Sequence, residues 1–433
     1  MRLGYAAMAR FIVEGGTPLS GEITAMGNKN SALPLIAASL LTSEPVILRN
    51  LPRIRDVNGM LEILSGLGAT VEWLDPHAVK ICAANVTKTS IDPKLSREVR
   101  TSLLFAGPML ARFKKVTLGP PGGDVIGRRR TDTHWLALQK FGAALAHDRA
   151  GFGLEAKELA GADILLDEAS VTATENALLC AVLVPGRTVI RNAASEPHVQ
   201  ELSMVLVQMG ARVHGIGTNT LEVRGVPELR GIDHEVWSDH QEVGSFMGLA
   251  AMTHGELTVQ RCAPQHLAMI RLVFKRLGVD SSLDGDELHV PAKERYVIEQ
   301  DIGGKIPKVQ PQVWPGFPSD LTSMATVFAT QADGIVLIHE WMYDARMFWL
   351  GTLETMGARL LLADPHRALV VGPTQLYGTD IRSPDIRAGL ALLGAALAAK
   401  GRSVIDNVDQ IDRGYEDIDG RLRGLGAKIE RVA

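Results

Sequence analysis

The chain is poor in most of the features that would assign a class at once. Its three cysteines, Cys82, Cys180 and Cys262, are too few and too scattered for a disulfide framework or a zinc site, and fit a reducing cytoplasm. No apolar run nears the roughly 18 residues of a membrane span; the longest candidate is the twelve-residue AGLALLGAALAA at 388–399. At the N-terminus, MRLGYAAMARFIVEGG is broken by Arg10 and Glu14, so it lacks a secretory apolar region. Neither charge sign dominates. Lys plus Arg is 45 against 49 for Asp plus Glu, and the net charge of −4 leaves no polycationic footprint for nucleic acid or an anionic membrane. Any anion must therefore be held locally. What remains is an ordinary globular composition, 46% apolar, 22% charged and 5% aromatic over 433 residues. That is too long for one compact core and points to two domains.

Repetition is the first positive signal. A phrase recurs as LGATVEW, FGAALAH, MGARVHG, LGVDSSL, MGARLLL and LGAKIER, with its glycine at Gly68, Gly142, Gly210, Gly278, Gly357 and Gly426, spaced 74, 68, 68, 79 and 69 residues apart. Six units result. Each phrase closes an amphipathic stretch such as 56–69 or 266–278, and its Gly suits the left-handed position that ends a helix. Five of the six are followed by a hairpin signal, at DPHA (75–78), DRAG (148–151), GIGTN (215–219), DGDE (284–287) and DPHR (364–367). Ahead of each amphipathic helix lies an apolar stretch rich in Ala and Leu, at 31–41, 100–111, 173–184, 243–253, 321–330 and 386–397, which reads as a helix buried on all sides. Short β-rich runs such as PVILRN (45–50) and RTVIRN (187–192) link the two. Each unit is thus strand, buried helix, strand, surface helix, strand, strand. Units of this length exceed a usual solenoid period of about 20–50 residues, so two globular domains of three units each are favoured.

Polar residues gather just before the buried helices, in GNKN (27–30), SREVR (96–100), SVTATEN (170–176), SDHQEVG (238–244), FPSD (317–320) and SPDIR (383–387). Helix N-termini offer unpaired N–H groups and a positive dipole end, so six of them converging between two domains would form a phosphate-handling cleft. Ser170, Asp320 and Ser383 serve equally well as plain helix caps. Lys29, Arg100 and Arg387 are poor caps, which favours ligand contact. A second exceptional segment is GPPGGDVIGRRRTDTH (119–134), where Gly, Pro and three consecutive Arg surround Asp124. It reads as a loop that closes and brings Arg onto a phosphate.

In family order, GNKNSALP (27–34), REVRTS (97–102), PPGGDVIGRR (120–129), SVTATEN (170–176), PGFPSD (315–320), SPDIRAG (383–389) and IDRGYE (411–416) resemble the UDP-N-acetylglucosamine 1-carboxyvinyltransferase family of enolpyruvyl transferases, over nearly the whole chain. The resemblance implies a two-domain inside-out α/β barrel of six βαβαββ repeats, three per domain. One domain is expected at 21–237, carrying a catalytic loop at 119–130, and the other at 1–20 with 238–433. It implies transfer of the enolpyruvyl group of phosphoenolpyruvate to the 3′-hydroxyl of UDP-N-acetylglucosamine, in the cytoplasm, by addition then elimination of phosphate. No cofactor and no metal are implied, and the sequence assigns no oligomeric state.

By the same resemblance Lys29, Arg129, Arg346, Arg387 and Arg413 form a cationic cage for phosphoenolpyruvate, and Asp320 is the base at the sugar hydroxyl. Asp124 and Lys29 would assist protonation and phosphate release, and Arg413 joins them as a catalytic residue. Asn30 resembles a sugar contact, Arg100 a cleft contact, and Asp385 a further substrate contact. Arg129, Asp132, His134, Ser170 and Val171 match segments lining the uridine diphosphate, although a histidine such as His134 is by default a satisfied structural residue.

Two departures from the family pattern matter. Asp124 stands where most members have a cysteine, so fosfomycin, which alkylates that thiol, should not attach here. Reference pKa values are about 8.5 for Cys and 3.9 for Asp, so an aspartic acid donor needs strong desolvation to hold its proton near neutrality. At DEASVT (167–172), Glu168 and Thr172 replace a Lys and a Gly found in some members, leaving Arg130 in the facing loop as a substitute cation. Other acceptors remain open. Shikimate 3-phosphate is disfavoured by PPGGDVIGRRR and SVTATEN, another uridine nucleotide less so, and a non-catalytic sensor is disfavoured by the intact set Lys29, Asp320, Arg346, Arg387 and Arg413.

Overall fold

The structure, a computed structural model, describes residues 9–123 and 126–432. The described chain divides into two compact units, one of 9–26, 126–129 and 238–432 (unit one) and one of 27–123 and 130–237 (unit two). The first crossing therefore falls after Met26, not Ser20. Its cause is the strand Gly21–Thr24, which pairs in parallel with Leu257–Gln260 of unit one. The second part of the loop segment, 126–129, also groups with unit one, where Ala345 N donates to Ile126 O at 3.2 Å.

Each unit holds three small sheets of one design, in which the strand preceding a buried helix runs parallel to its neighbour and the rest are antiparallel. In unit two the orders are Ile232–Glu235, Val46–Arg49, Ala78–Cys82, Thr70–Asp75; then Lys115–Leu118, Gly151–Glu155, Ala144–Asp148; then Asp163–Leu165, Arg187–Arg191, Thr220–Arg224, Arg212–His214. In the second of these a single parallel bridge, Ser90 to Thr117, replaces the missing strand. In unit one they are Gly21–Thr24, Leu257–Gln260, Glu287–Val290, Ser282–Asp284; then Lys308–Val309, Gly334–His339, Arg367–Gly372, Arg359–Asp364; then Asp380–Arg382, Arg402–Asp406, Arg10–Glu14, Lys428–Val432. Two strands are exchanged: Gly21–Thr24 precedes a helix of unit two yet pairs in unit one, and Ile232–Glu235 does the converse. All five hairpin signals fall between antiparallel strands.

The apolar stretches form the centres of the units. His240–Met252 is buried along its whole length, and Ile386–Ala398 at every residue but the last. Such helices need close neighbours. A Cβ on Gly244 or Gly248 would lie 2.6 Å from Leu321 Cδ1 or 2.5 Å from Met324 Cγ, so these glycines let Thr322–Ala329 approach. One stretch departs from expectation: 100–111 is a 3₁₀ helix over Arg100–Phe105 before the α-helix Ala106–Phe113. The six repeat glycines have φ between 96° and 112°, the left-handed turn that ends each surface helix and, at all but Gly426, aims the chain into a hairpin. Burying each Leu, Ile or Phe of these cores stabilises by about 1.5–3 kcal/mol, and most lie under 5% exposed.

Candidate functional site

In unit one, three helix N-termini meet through side chains. Arg387, the second residue of Ile386–Ala398, donates from Nε to Asp320 Oδ2 at 2.9 Å, from Nη1 to Tyr415 Oη at 2.7 Å and from Nη2 to Gln241 Oε1 at 2.9 Å. Gln241 opens His240–Met252, and Asp320 lies in the 3₁₀ turn Ser319–Leu321 ahead of Thr322–Ala329. Arg346 completes the group, donating from Nη1 and Nη2 to Asp320 Oδ1, both at 3.1 Å, and from Nη1 to Ser319 Oγ at 2.7 Å. Asp320 is thus no helix cap. Burial pushes its carboxyl up, but Arg387 and Arg346 outweigh this and hold it well below the ordinary carboxylate range. Burial likewise disfavours the charge on Arg387, and Tyr415, Asp320 and Asp239 more than restore it.

Further residues stand behind this group. Ser319 Oγ donates to Glu340 Oε2 at 2.9 Å, and Glu340, fully buried, has its carboxyl pushed up by burial, with Arg346 pulling the other way. Asp239 caps His240–Met252 by accepting from Gln241 N at 2.9 Å and Glu242 N at 3.2 Å. Burial lifts its carboxyl to about 6 against the pull of Arg387, and Glu242 adds to the rise. Asp385 caps Ile386–Ala398, taking the N–H groups of Arg387 at 2.8 Å and Ala388 at 2.9 Å, which fixes the backbone that carries the Arg387 guanidinium. Ser383, offered above as a cap, instead donates to Asp385 O at 3.2 Å. Arg413 is buried and donates to Gln410 Oε1 at 3.2 Å. Arg129 lies with this unit, its guanidinium 6.0 Å from the Tyr343 ring, and Arg346 lies 4.5 Å from the same ring.

Unit two carries two groups. Asn28 caps Lys29–Ala38 by accepting from Asn30 N at 2.7 Å and Ser31 N at 3.2 Å, and the Lys29 ammonium sits 2.7 Å from Asp56 Oδ2. The second group surrounds Arg130. Its Nη2 donates to Asp167 Oδ2 at 2.7 Å and its Nε to Asp132 Oδ2 at 3.3 Å, while Arg100 Nη2 donates to Arg130 O at 3.0 Å. Arg130 therefore reaches the segment in which Glu168 replaces a cation. Ser170 caps Val171–Ala181 by accepting from Ala173 N at 3.4 Å, leaving Val171 as its first residue. The loop packs closely onto this unit through Gly122, where a Cβ would stand 1.5 Å from Arg97 O. Asp124 lies outside the described residues.

His134 is held inside unit two. It is 1% exposed, with Asn176 Nδ2 2.9 Å from Nδ1 and Thr172 Oγ1 3.0 Å from Nε2. Both ring nitrogens are engaged within the unit. Asn176 also donates to Leu103 O and accepts from Gly107 N, each at 2.7 Å, tying two buried helices together.

Residues not singled out from the sequence also shape the site. Gln241, Ser319 and Tyr415 lay inside quoted motifs and are hydrogen-bond partners of the arginines, but nothing in their spacing marked them. Asp56 and Glu340 carried no signal at all.

The family model for EPSP synthase (3-phosphoshikimate 1-carboxyvinyltransferase) matches residues 13–422. UDP-N-acetylglucosamine 1-carboxyvinyltransferase of Bradyrhizobium diazoefficiens is 52% identical over 98% of this chain and 99% of its own length. That of Treponema denticola is 50% identical with the same coverage. The chain belongs to the UDP-N-acetylglucosamine 1-carboxyvinyltransferase family. Solved enolpyruvyl transferases share its fold. The enolpyruvyl transferase NikO of Streptomyces tendae superposes with a TM-score of 0.87 at 24% identity, covering 98% of this chain and 99% of that one. An EPSP synthase of Acinetobacter baumannii gives 0.75 at 16% identity, covering 99% and 100%. The chain is α/β, with six small sheets among the described residues, on the fold of these solved enolpyruvyl transferases. No helix among the described residues is long and apolar enough to cross a membrane.

Proposed function

We propose that this protein transfers the enolpyruvyl group of phosphoenolpyruvate to the 3′-hydroxyl of UDP-N-acetylglucosamine, releasing phosphate, as a cytoplasmic step of peptidoglycan synthesis. The observation that carries this reading is the arginine pair Arg346 and Arg387 bound to the Asp320 carboxylate, in a chain half identical to relatives of that name. Phosphoenolpyruvate carries a phosphate and a carboxylate, and fixed guanidinium groups suit both. By this reading Lys29, Arg129, Arg346, Arg387 and Arg413 supply the cationic cage.

In the addition step the sugar hydroxyl loses its proton to Asp320, its oxygen bonds to C2 of phosphoenolpyruvate, and C3 gains a proton from Asp124, assisted by Lys29. Elimination then breaks the bond from C2 to the phosphate oxygen, and a proton leaves C3, restoring the double bond. Asn30 contacts the sugar and Arg100 the cleft, Arg129, Asp132, His134, Ser170 and Val171 line the uridine diphosphate with Arg130 as a substitute cation, and Asp385 is a further substrate contact that also holds Arg387 in place.

The test is phosphate release by the purified protein from phosphoenolpyruvate, with UDP-N-acetylglucosamine, UMP or shikimate 3-phosphate as separate acceptors and the product weighed by mass spectrometry. Release with UDP-N-acetylglucosamine alone, and a product heavier by one enolpyruvyl group, is expected. Release with another acceptor instead would overturn the substrate, and ligand binding without release would make the protein a sensor.

A further inference from the structure

Asp320 bridges two buried arginines. Its two oxygens accept three hydrogen bonds from Arg346 and Arg387, at 2.9–3.1 Å. The arginine side chains are 5% and 7% exposed, but that of Asp320 is 25% exposed, so the acid lies on the open side of two buried cations. Uncharged groups hold the guanidiniums independently of it: Tyr415 Oη and Gln241 Oε1 for Arg387, and Ser319 Oγ for Arg346. Arg346 Nε is buried and has no acceptor, so the cations offer more donors than the carboxylate uses.

We propose that Asp320 is a built-in occupant of the substrate's anion site, neutralising Arg346 and Arg387 until a phosphate or carboxylate of the substrate displaces it and so makes it a proton acceptor. This rests on the reading of Asp320 as the base for the sugar hydroxyl. A carboxylate committed to three charge-assisted hydrogen bonds is a poor base. Handing its arginines to the incoming anion frees its oxygens beside the acceptor. The hydroxyl O–H bond then breaks, the proton passes to Asp320, and the oxygen's electron pair forms the bond to C2 of phosphoenolpyruvate. Proton abstraction is thereby withheld until the anion is seated, and the cations are never left bare in a buried setting.

The experiment is calorimetric titration of inorganic phosphate into the intact protein and into Asp320→Asn and Asp320→Ala, at low salt. Loss of an internal competitor should tighten phosphate binding by about tenfold or more in both variants, while kcat with phosphoenolpyruvate and UDP-N-acetylglucosamine falls by about a hundredfold or more. The alanine variant shows that any gain comes from removing the charge, not from a new amide donor. Unchanged or weaker phosphate binding in both variants, with thermal unfolding like that of the wild type, overturns the exchange. Failure of the functional reading looks different, because the wild type would then release no phosphate from phosphoenolpyruvate with that acceptor, whatever the variants bind.

Discussion

Lys29 and Asp56 form a nearly buried ion pair, 2.7 Å between Nζ and Oδ2, with side chains 10% and 7% exposed. It joins the first residue of a buried helix to the second residue of the surface helix Arg55–Leu67, where an acid also favours the positive end of the helix. Asp56 thus holds the Lys29 ammonium in place. Removing Asp56 alone strands a buried ammonium, so Asp56→Ala should destabilise the protein by about 3 kcal/mol in urea unfolding. Lys29→Met leaves the Asp56 carboxylate buried without its cation and should cost a comparable amount of stability, but should also lower kcat by about a hundredfold or more, well beyond the loss in Asp56→Ala. If the two variants lost stability and kcat in equal measure, Lys29 would have no role beyond the pair.

The loop residue Asp124 makes a chemical prediction. Incubated with fosfomycin, the wild-type protein should show no covalent adduct by intact-mass spectrometry, and Asp124→Cys should acquire one, because only a thiolate is alkylated. The wild type should also lose activity towards alkaline pH earlier than Asp124→Cys, since a carboxylic acid gives up its proton sooner than a thiol. Superimposable pH–rate profiles would remove Asp124 as the acid.

Asp239 and Asp419 should move stability in opposite directions with pH. Burial lifts the Asp239 carboxyl to about 6 from an ordinary 3.8, so between those values the folded protein holds a proton the unfolded chain has lost. Stability from this group therefore falls as pH rises through that window and is flat above it. Asp239→Asn keeps an oxygen to cap the helix and loses the charge, so its stability relative to wild type should rise between pH 4 and 7.5, by up to about 3 kcal/mol. At Asp419 burial is outweighed by Arg431 and Arg423, which hold the carboxyl below its ordinary value. Its contribution is present above the ordinary carboxyl range and lost as the solution is acidified. Urea midpoints at the two pH values decide, and a pH-independent difference for Asp239→Asn would refute the assignment.

Asn176 is the hydrogen-bond hub of unit two. Asn176→Ala should cost about 2–4 kcal/mol, because Gly107 N, Leu103 O and His134 Nδ1 all lose their partner in a buried place. His134→Ala should likewise lower the unfolding temperature and raise KM for UDP-N-acetylglucosamine by more than about twofold. An unchanged KM with lowered stability would remove His134 from the nucleotide site.

The repeats made the architecture legible because glycine at a left-handed helix end and an apolar helix leave plain marks in a sequence. Gly68 through Gly426 did so six times over. The exchange of Gly21–Thr24 and Ile232–Glu235 was not legible, since a short strand carries no mark of which sheet it joins; only pairing with Leu257–Gln260 and Val46–Arg49 reveals it. At the site, the motifs exposed Asp320 and Arg387 as charges and the family resemblance added Arg346, but neither showed their mutual bonding. Asp56 and Glu340 stayed hidden because a lone acid on an amphipathic helix or after a strand looks like any solvated residue until its burial is known. His134 illustrates the reverse case, a motif residue whose two ring contacts with Asn176 and Thr172 no spacing announced.

The strand Arg10–Glu14 lies between Arg402–Asp406 and Lys428–Val432, with Arg10 opposite Val432. Along the chain, unit two is consequently one uninterrupted stretch apart from its loop, inserted into unit one, whose two pieces are stitched together next to the chain ends. A circularly permuted gene that opens at Ser238, joins Val432 back to Arg10 through a linker and finishes at Trp237 would encode the two units almost in series, with one covalent crossing outside the loop, at Met26–Gly27, in place of two. Such a permutant would let the exchange of strands be separated from the continuity of the backbone.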